Sequence, residues 1–148
     1  MSQQPLPSDF KESVRKACQD QDVDYDEVIS SISQAVIGDF LGYNIWTGPG
    51  PSYQTLVLDI FAITDKGLFG HQVHSTGVSA TAVTFLDAIS EIIIVKLNHE
   101  VAKYSVLITK YENEESINIF SNEDEIQALR SFCRTLTCAR TGLHTTKR

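Results

Sequence analysis

The stretch TGPGPS at residues 47–52 separates two hydrophobic patterns, and that separation constrains the fold more than any other feature of the chain. Before it, apolar residues recur every three to four positions; after it they alternate, and β-branched residues are frequent. A period near 3.6 buries one stripe of a helix and a period of two buries one face of a strand. The chain is therefore expected to be helical first and sheet-forming afterwards.

In the first part, a proline-broken start leads into SDFKESVRKACQ, a helix with Ser8 or Asp9 as N-cap and Phe10, Val14 and Ala17 on one side. A second helix is expected from Asp24, which with Glu27 three residues on makes a capping-box-like start. Val28, Ile29, Ile32, Val36, Ile37 and Phe40 carry its stripe, and Gly38 and Gly42 bracket its end.

Beyond the divide, YQTLVLDIFAIT reads as a long strand with Leu56, Leu58, Ile60 and Ala62 on one face and Val57, Asp59, Phe61 and Ile63 on the other. GLFGHQVH is its antiparallel partner, joined through Asp65-Lys66-Gly67, where Gly67 is expected to supply a positive φ. FAITDKGLFGHQV is thus a hairpin and carries no catalytic claim. Further strands are expected at about 79–86, 89–97, 103–112 and 115–120, with a polar turn at Glu112-Asn113-Glu114 between the last two; GYNIWT at 42–47 brings the count to seven. A final helix has Ser121 or Asn122 as cap, acids in its first turn, and a stripe of Ile126, Leu129, Phe132, Cys133 and Leu136. TGLHTTKR, without pattern, is expected to fray.

A chain of 148 residues suits one core. The expected organisation is an N-terminal helical arm over 1–41, an α+β domain over 42–138 and a flexible tail over 139–148. The arm is too small to form a core alone, so it should pack on the sheet or mediate self-association.

The net charge of −7 disfavours nucleic acid and anionic lipid, whose fields it opposes. The bias is uneven: residues 1–40 hold three cations against eight anions, 41–122 four against eight, and 123–148 five against three. No transmembrane segment and no secretory signal are readable, and three cysteines, an odd and sparse set, suit reduced thiols. A cytoplasmic location is expected.

Reactive constellations are weak. His71 and His74 are three apart on a strand and point to opposite faces, so no metal site is expected from them. Cys133 and Cys138 are five apart on a helix and read as small core or surface residues. Asp20, Asp22 and Asp24 alternate as in a calcium loop, but Tyr25 stands where glycine is needed and Ser31 where a bidentate glutamate is needed. A solvated helix start is the better account. There is no nucleophile motif, and His99 with Glu100 reads as an exposed turn. Tyr43, Trp46 and Tyr53 surround the proline-glycine loop, and aromatics so placed are frequent anchors of protein recognition.

The segments LDIFAITDKGLFG (58–70), VTFLDAISEIIIVK (83–96) and YSVLITKYENEESINIFS (104–121), followed by the terminal helix, form a texture that is similar to the pleckstrin-homology-like (PH-like) fold, nearest to its bacterial members and to GRAM-type domains. The likeness covers about residues 42–138. It implies a mostly antiparallel, seven-stranded barrel or sandwich capped by a C-terminal helix. It also implies a binding scaffold, since such domains commonly hold phosphoinositides, peptides or proteins and seldom do chemistry. The lipid-binding members use Lys and Arg around the loop joining the first two strands; here that loop, TGPGPSYQ, has no cation. A phosphoinositide is disfavoured, because its head group needs several charge-assisted hydrogen bonds of roughly 1.5–3 kcal/mol each.

The resulting expectation is a non-enzymatic interaction module that binds a protein or peptide partner, or itself, with no cofactor and no catalytic residue, and with Tyr43, Trp46 and Tyr53 as binding residues. Two alternatives stay open. One is an acidic inhibitor or immunity-type protein that neutralises a basic partner. The other is a small ligand-binding protein or hydrolase with a pocket in the sheet, whose mark would be a deep cavity, convergent polar groups and a perturbed titratable residue.

Overall fold

The computed structural model describes residues 6–51, 53–112 and 116–145, with side chains as far as residue 142. Two helices, α1 (Ser8–Gln21) and α2 (Tyr25–Ala35), precede seven strands: β1 (Phe40–Thr47), β2 (Leu56–Thr64), β3 (Gly67–His74), β4 (Ser79–Phe85), β5 (Ile89–Lys96), β6 (Tyr104–Lys110) and β7 (Ser116–Ser121). A last helix, α3 (Ile126–Thr145), ends the described chain. The strands form two antiparallel meanders, β1-β2-β3-β4 and β5-β6-β7. The fold is α+β and sandwich-like, and the two sheets do not close into a barrel.

The four-stranded sheet is covered on both faces, which explains why β2 is buried along nearly its whole length. On its outer face lie α1 and α2. Phe10, Val14 and Cys18 of α1, with Val28 and Ile32 of α2, meet Leu58, Ile60, Ala62 and Phe69 in one apolar layer. Burying each large side chain there stabilises by roughly 1.5–3 kcal/mol. On the inner face, Phe61, Ile63 and Leu68 meet Val106, Ile108 and Ile119 of the second sheet and Leu129, Phe132, Cys133 and Leu136 of α3. The N-terminal helices are therefore part of the packed body, and the stripe expected of α3 is its buried side.

Local rules and tertiary contacts compete at several junctions. Asp24 caps α2 as expected, its Oδ1 accepting from Asp26 N at 3.0 Å and Glu27 N at 3.4 Å. The helix stops at Ala35, well before the end of its apolar periodicity. Gly38 takes φ +94° there, and the turn after β2 grips the link: Asp39 N donates to Asp65 Oδ1 at 2.7 Å, and Asp65 N donates to Asp39 O at 3.1 Å. Phe40 consequently opens β1 instead of extending α2. Neither Ser8 nor Asp9 caps α1, which begins after Pro7 without a side-chain bond. Ahead of α3 the chain makes a 3₁₀ turn at Glu123–Glu125, where Asn122 gives no side-chain cap.

Gly67 is not a positive-φ residue. Its reason is space: a Cβ there would come within 2.8 Å of Thr84 O, so glycine lets β4 approach β3. A bulge between Leu56 and Leu58 also moves Leu56 off the outer face and into a small inner cluster with Trp46, Ala102 and Phe120. The expected polar turn at 112–114 lies largely outside the described residues. Helix α3 runs past residue 138 to Thr145, through most of the segment read as a tail.

Candidate functional site

The inner face of the four-stranded sheet is filled by large side chains near α3 and thins out toward β4. Cross-strand register sets Asp59 beside Gln72 and Gln72 beside Ala80, then Phe61 beside Gly70 and Gly70 beside Ala82, then Ile63 beside Leu68 and Leu68 beside Thr84. Gly70, Ala80 and Ala82 are too small to reach the second sheet. The result is a cleft of about 270 Å³ whose remaining lining comes from Tyr53 and from Ser116, Ile117, Asn118 and Phe120 of β7.

Asp59 sits in this cleft at 1% exposure, and neither of its carboxylate oxygens has a hydrogen-bond partner among the described residues. Burial raises its pKa from 3.8 to about 7, because desolvation penalises the charged form. The Gln72 side chain is near enough to pull that value back somewhat but lies outside hydrogen-bond geometry. A buried, unpartnered carboxyl costs several kcal/mol in an apolar interior and is rare for that reason. One end of the cleft is walled by aromatics: the Phe120 ring packs 6.0 Å from Trp46 and 5.8 Å from Tyr53, and a Cβ on Gly50 would collide with it.

The three aromatic residues expected to anchor a partner are divided. Trp46 is buried, donates from Nε1 to Pro49 O at 3.3 Å, and shares Phe120 with Tyr53. Tyr43 points to the other face, where it packs edge-on against Phe10 at 5.1 Å and its hydroxyl meets Ser13 Oγ at 3.1 Å. Tyr43 and Trp46 do border one shallow groove between α1 and the start of α3, whereas Tyr53 belongs to the Asp59 cleft.

The two histidines of β3 find structural partners. His71 is buried beneath α2 with Nδ1 2.8 Å from Thr81 Oγ1, and burial lowers its pKa while Glu27 partly offsets this. His74 meets Thr55 Oγ1 at 2.9 Å through Nδ1 and Gln72 Oε1 at 3.4 Å through Nε2. Both imidazoles border a wider cleft of about 430 Å³ with Asp22, Asp24 and Glu27. Among the described residues no three His, Cys, Asp or Glu side chains gather as a metal set would require. Asp20 lies within α1, Asp22 closes that helix at φ 56° and Asp24 caps the next. Cys18 and Cys133 are buried thiols pushed up to about 11, and Cys138 is exposed. Such thiols are poor nucleophiles. His99 accepts from Val101 N at 3.1 Å and so shapes its own turn.

Asp59 belongs to no sequence motif. Its signal was a lone carboxylate inside LVLDIFAIT, a nine-residue strand that is otherwise apolar up to its final threonine. No described helix is long and apolar enough to cross a membrane. Compared with protein-family models, curated proteins and solved structures, the chain gives no significant match.

Proposed function

We propose that the chain is a non-enzymatic binding module, PH-like in architecture, that takes up an extended segment of a partner protein along the free edge of β4. The PH-like reading is supported by a four-stranded and a three-stranded meander with a helix packed against both. The observation that carries the binding mode is the contrast among sheet edges. A free edge presents unpaired backbone N–H and C=O groups, and edges not meant for pairing are blunted by charge, bulges, shortness or cover.

Here β1 carries a bulge at Phe40/Gly42 and is flanked by α1 and α3. Strand β5 has a bulge at Ile89/Glu91 and the charges of Glu91 and Lys96. Strand β7 has six residues and lies against β1. Strand β4, SATAVTF, touches α2 on one face but has no other such device: it pairs with β3 over seven residues without irregularity, and it contains no charge and no proline. Val83 and Phe85 on it, and Val78 just before it, are exposed at 43%, 58% and 60%. An added strand would gain main-chain hydrogen bonds from the edge and side-chain contacts from these residues. The net charge of −7 opposes pairing of two copies and favours a partner segment with basic flanks.

The test is selection of peptides from a random displayed library, followed by hydrogen exchange of the bound chain. Selected peptides should protect β4 amides, and Val83→Lys combined with Phe85→Lys should abolish binding. Both positions are exposed, so stability should change by less than about 0.5 kcal/mol for each. Peptides that leave β4 exchange unaltered would refute the binding mode. Concentration-dependent dimers that vanish with the same double change would assign the edge to a second copy.

A further inference from the structure

The inner cleft holds a carboxyl that accepts no hydrogen bond among the described residues, with Gln72 near it but out of hydrogen-bond geometry. Asp59 is 1% exposed, both of its oxygens lack a partner, and no Lys or Arg lines the cleft among the described residues. The fold thus places a carboxyl in an apolar setting without supplying its counter-charge. Ser116 and Asn118 of β7 carry donors on the cleft wall, but neither makes a hydrogen bond to Asp59.

We propose that this cleft is a binding site for a small organic cation, a protonated amine or amidinium on an apolar body, with Asp59 as its counter-ion. The dimensions fit: a dry cavity of about 150 Å³ accepts benzene, and this one offers about 270 Å³. Phe61, Leu68 and Phe120 supply apolar wall for the body of such a ligand. An ionised carboxylate can only accept hydrogen bonds, so the ligand must bring the donors. A cationic donor in a low-dielectric setting gives the stronger, shorter class of bond. Because folding has already removed the carboxyl from water, that desolvation is not repeated when the ligand enters. Gln72, Thr84 and Asn118 border the same space and can accept the remaining ammonium protons. The other ionisable groups nearby are Tyr53, in the lining, and His74, whose Nε2 is 3.4 Å from Gln72 Oε1. The site does not depend on pairing at β4, although β4 forms one of its walls.

Binding carries a proton signature. Below neutral pH Asp59 is protonated, so a cation must displace that proton; well above it, the site is already charged. The probe is benzylamine, titrated into the isotope-labelled full chain near pH 8.5 and near pH 5.5, with benzyl alcohol as its neutral match. The amine should produce saturable shifts at the Gly70, Ala82 and Asn118 amides and bind at least about tenfold more tightly at the higher pH. It should outcompete the alcohol there by a similar factor, and Asp59→Asn should reduce that preference to below about twofold. If Asp59→Asn does not fold, Ala82→Phe, which fills the cleft from an exposed position, should abolish both ligands. Equal or tighter binding of the alcohol, a preference that survives Asp59→Asn, or no saturable shift for the amine would overturn the assignment.

Discussion

The two faces of the four-stranded sheet are sealed in different ways, although the same strands build both. On the outer face, Phe10, Val14, Leu58 and Ile60 pack in one layer, and the buried imidazole beneath α2, His71, has Thr81 as partner. On the inner face, α3 and the second sheet close tightly over Phe61 and Leu68, then leave Asp59 without a hydrogen-bond partner among the described residues, in a cleft shared with Gly70, Ala80 and Ala82. The second sheet approaches the first through β7 beside β1 and leaves a gap where the facing side chains are small. The outer face pairs its buried imidazole, whereas the inner cleft leaves its carboxyl to the ligand proposed above.

The largest effect expected is Phe10→Ala. Phe10 is fully buried against Phe40 and Tyr43, so its loss should cost about 3–5 kcal/mol in urea unfolding, with one cooperative transition. A cost below about 1 kcal/mol would mean that the helices are a loosely attached arm and would end the comparison.

Next comes Asp59→Asn. A carboxyl whose pKa rises from 3.8 unfolded to about 7 folded favours the native state while protonated. That contribution is complete below the unfolded value and is lost as pH rises through about 7, by an amount on the order of 4 kcal/mol. The asparagine variant should therefore be the more stable protein at alkaline pH, with the advantage fading as pH falls.

His71 has the opposite sign. Its lowered pKa favours the neutral imidazole, so its contribution is present above 6.5 and is lost as pH falls through the depressed folded value. Thr81→Val removes its partner and should cost about 1–2 kcal/mol near pH 8 in the same unfolding assay, sharpening the contrast between a satisfied and an unsatisfied face.

The strands were legible as runs rich in β-branched and apolar residues bounded by turn residues, and α3 because its stripe is continuous. What escaped was non-local. The end of α2 is decided by Asp65, 26 residues from Asp39, and no helical periodicity can report that contact. The bulge that moves Leu56 depends on register with β3, and the need for Gly67 comes from Thr84 O on the neighbouring strand. Tyr43, Trp46 and Tyr53 are close in sequence, yet strand direction sends Tyr43 to the helices and Trp46 and Tyr53 to Phe120. Asp59 stands out in the sequence only as a charge in an apolar strand, and the cleft it shares with Gly70, Ala80 and Ala82 depends on register across three strands.

The most direct test is a carbon-detected NMR titration of the Asp59 carboxyl in the intact chain. The account predicts a midpoint near 7, shifting downward when benzylamine is present. A midpoint near 4, unmoved by the amine, would mean that the carboxyl is solvated or already paired, and the distinction between the two faces would fail.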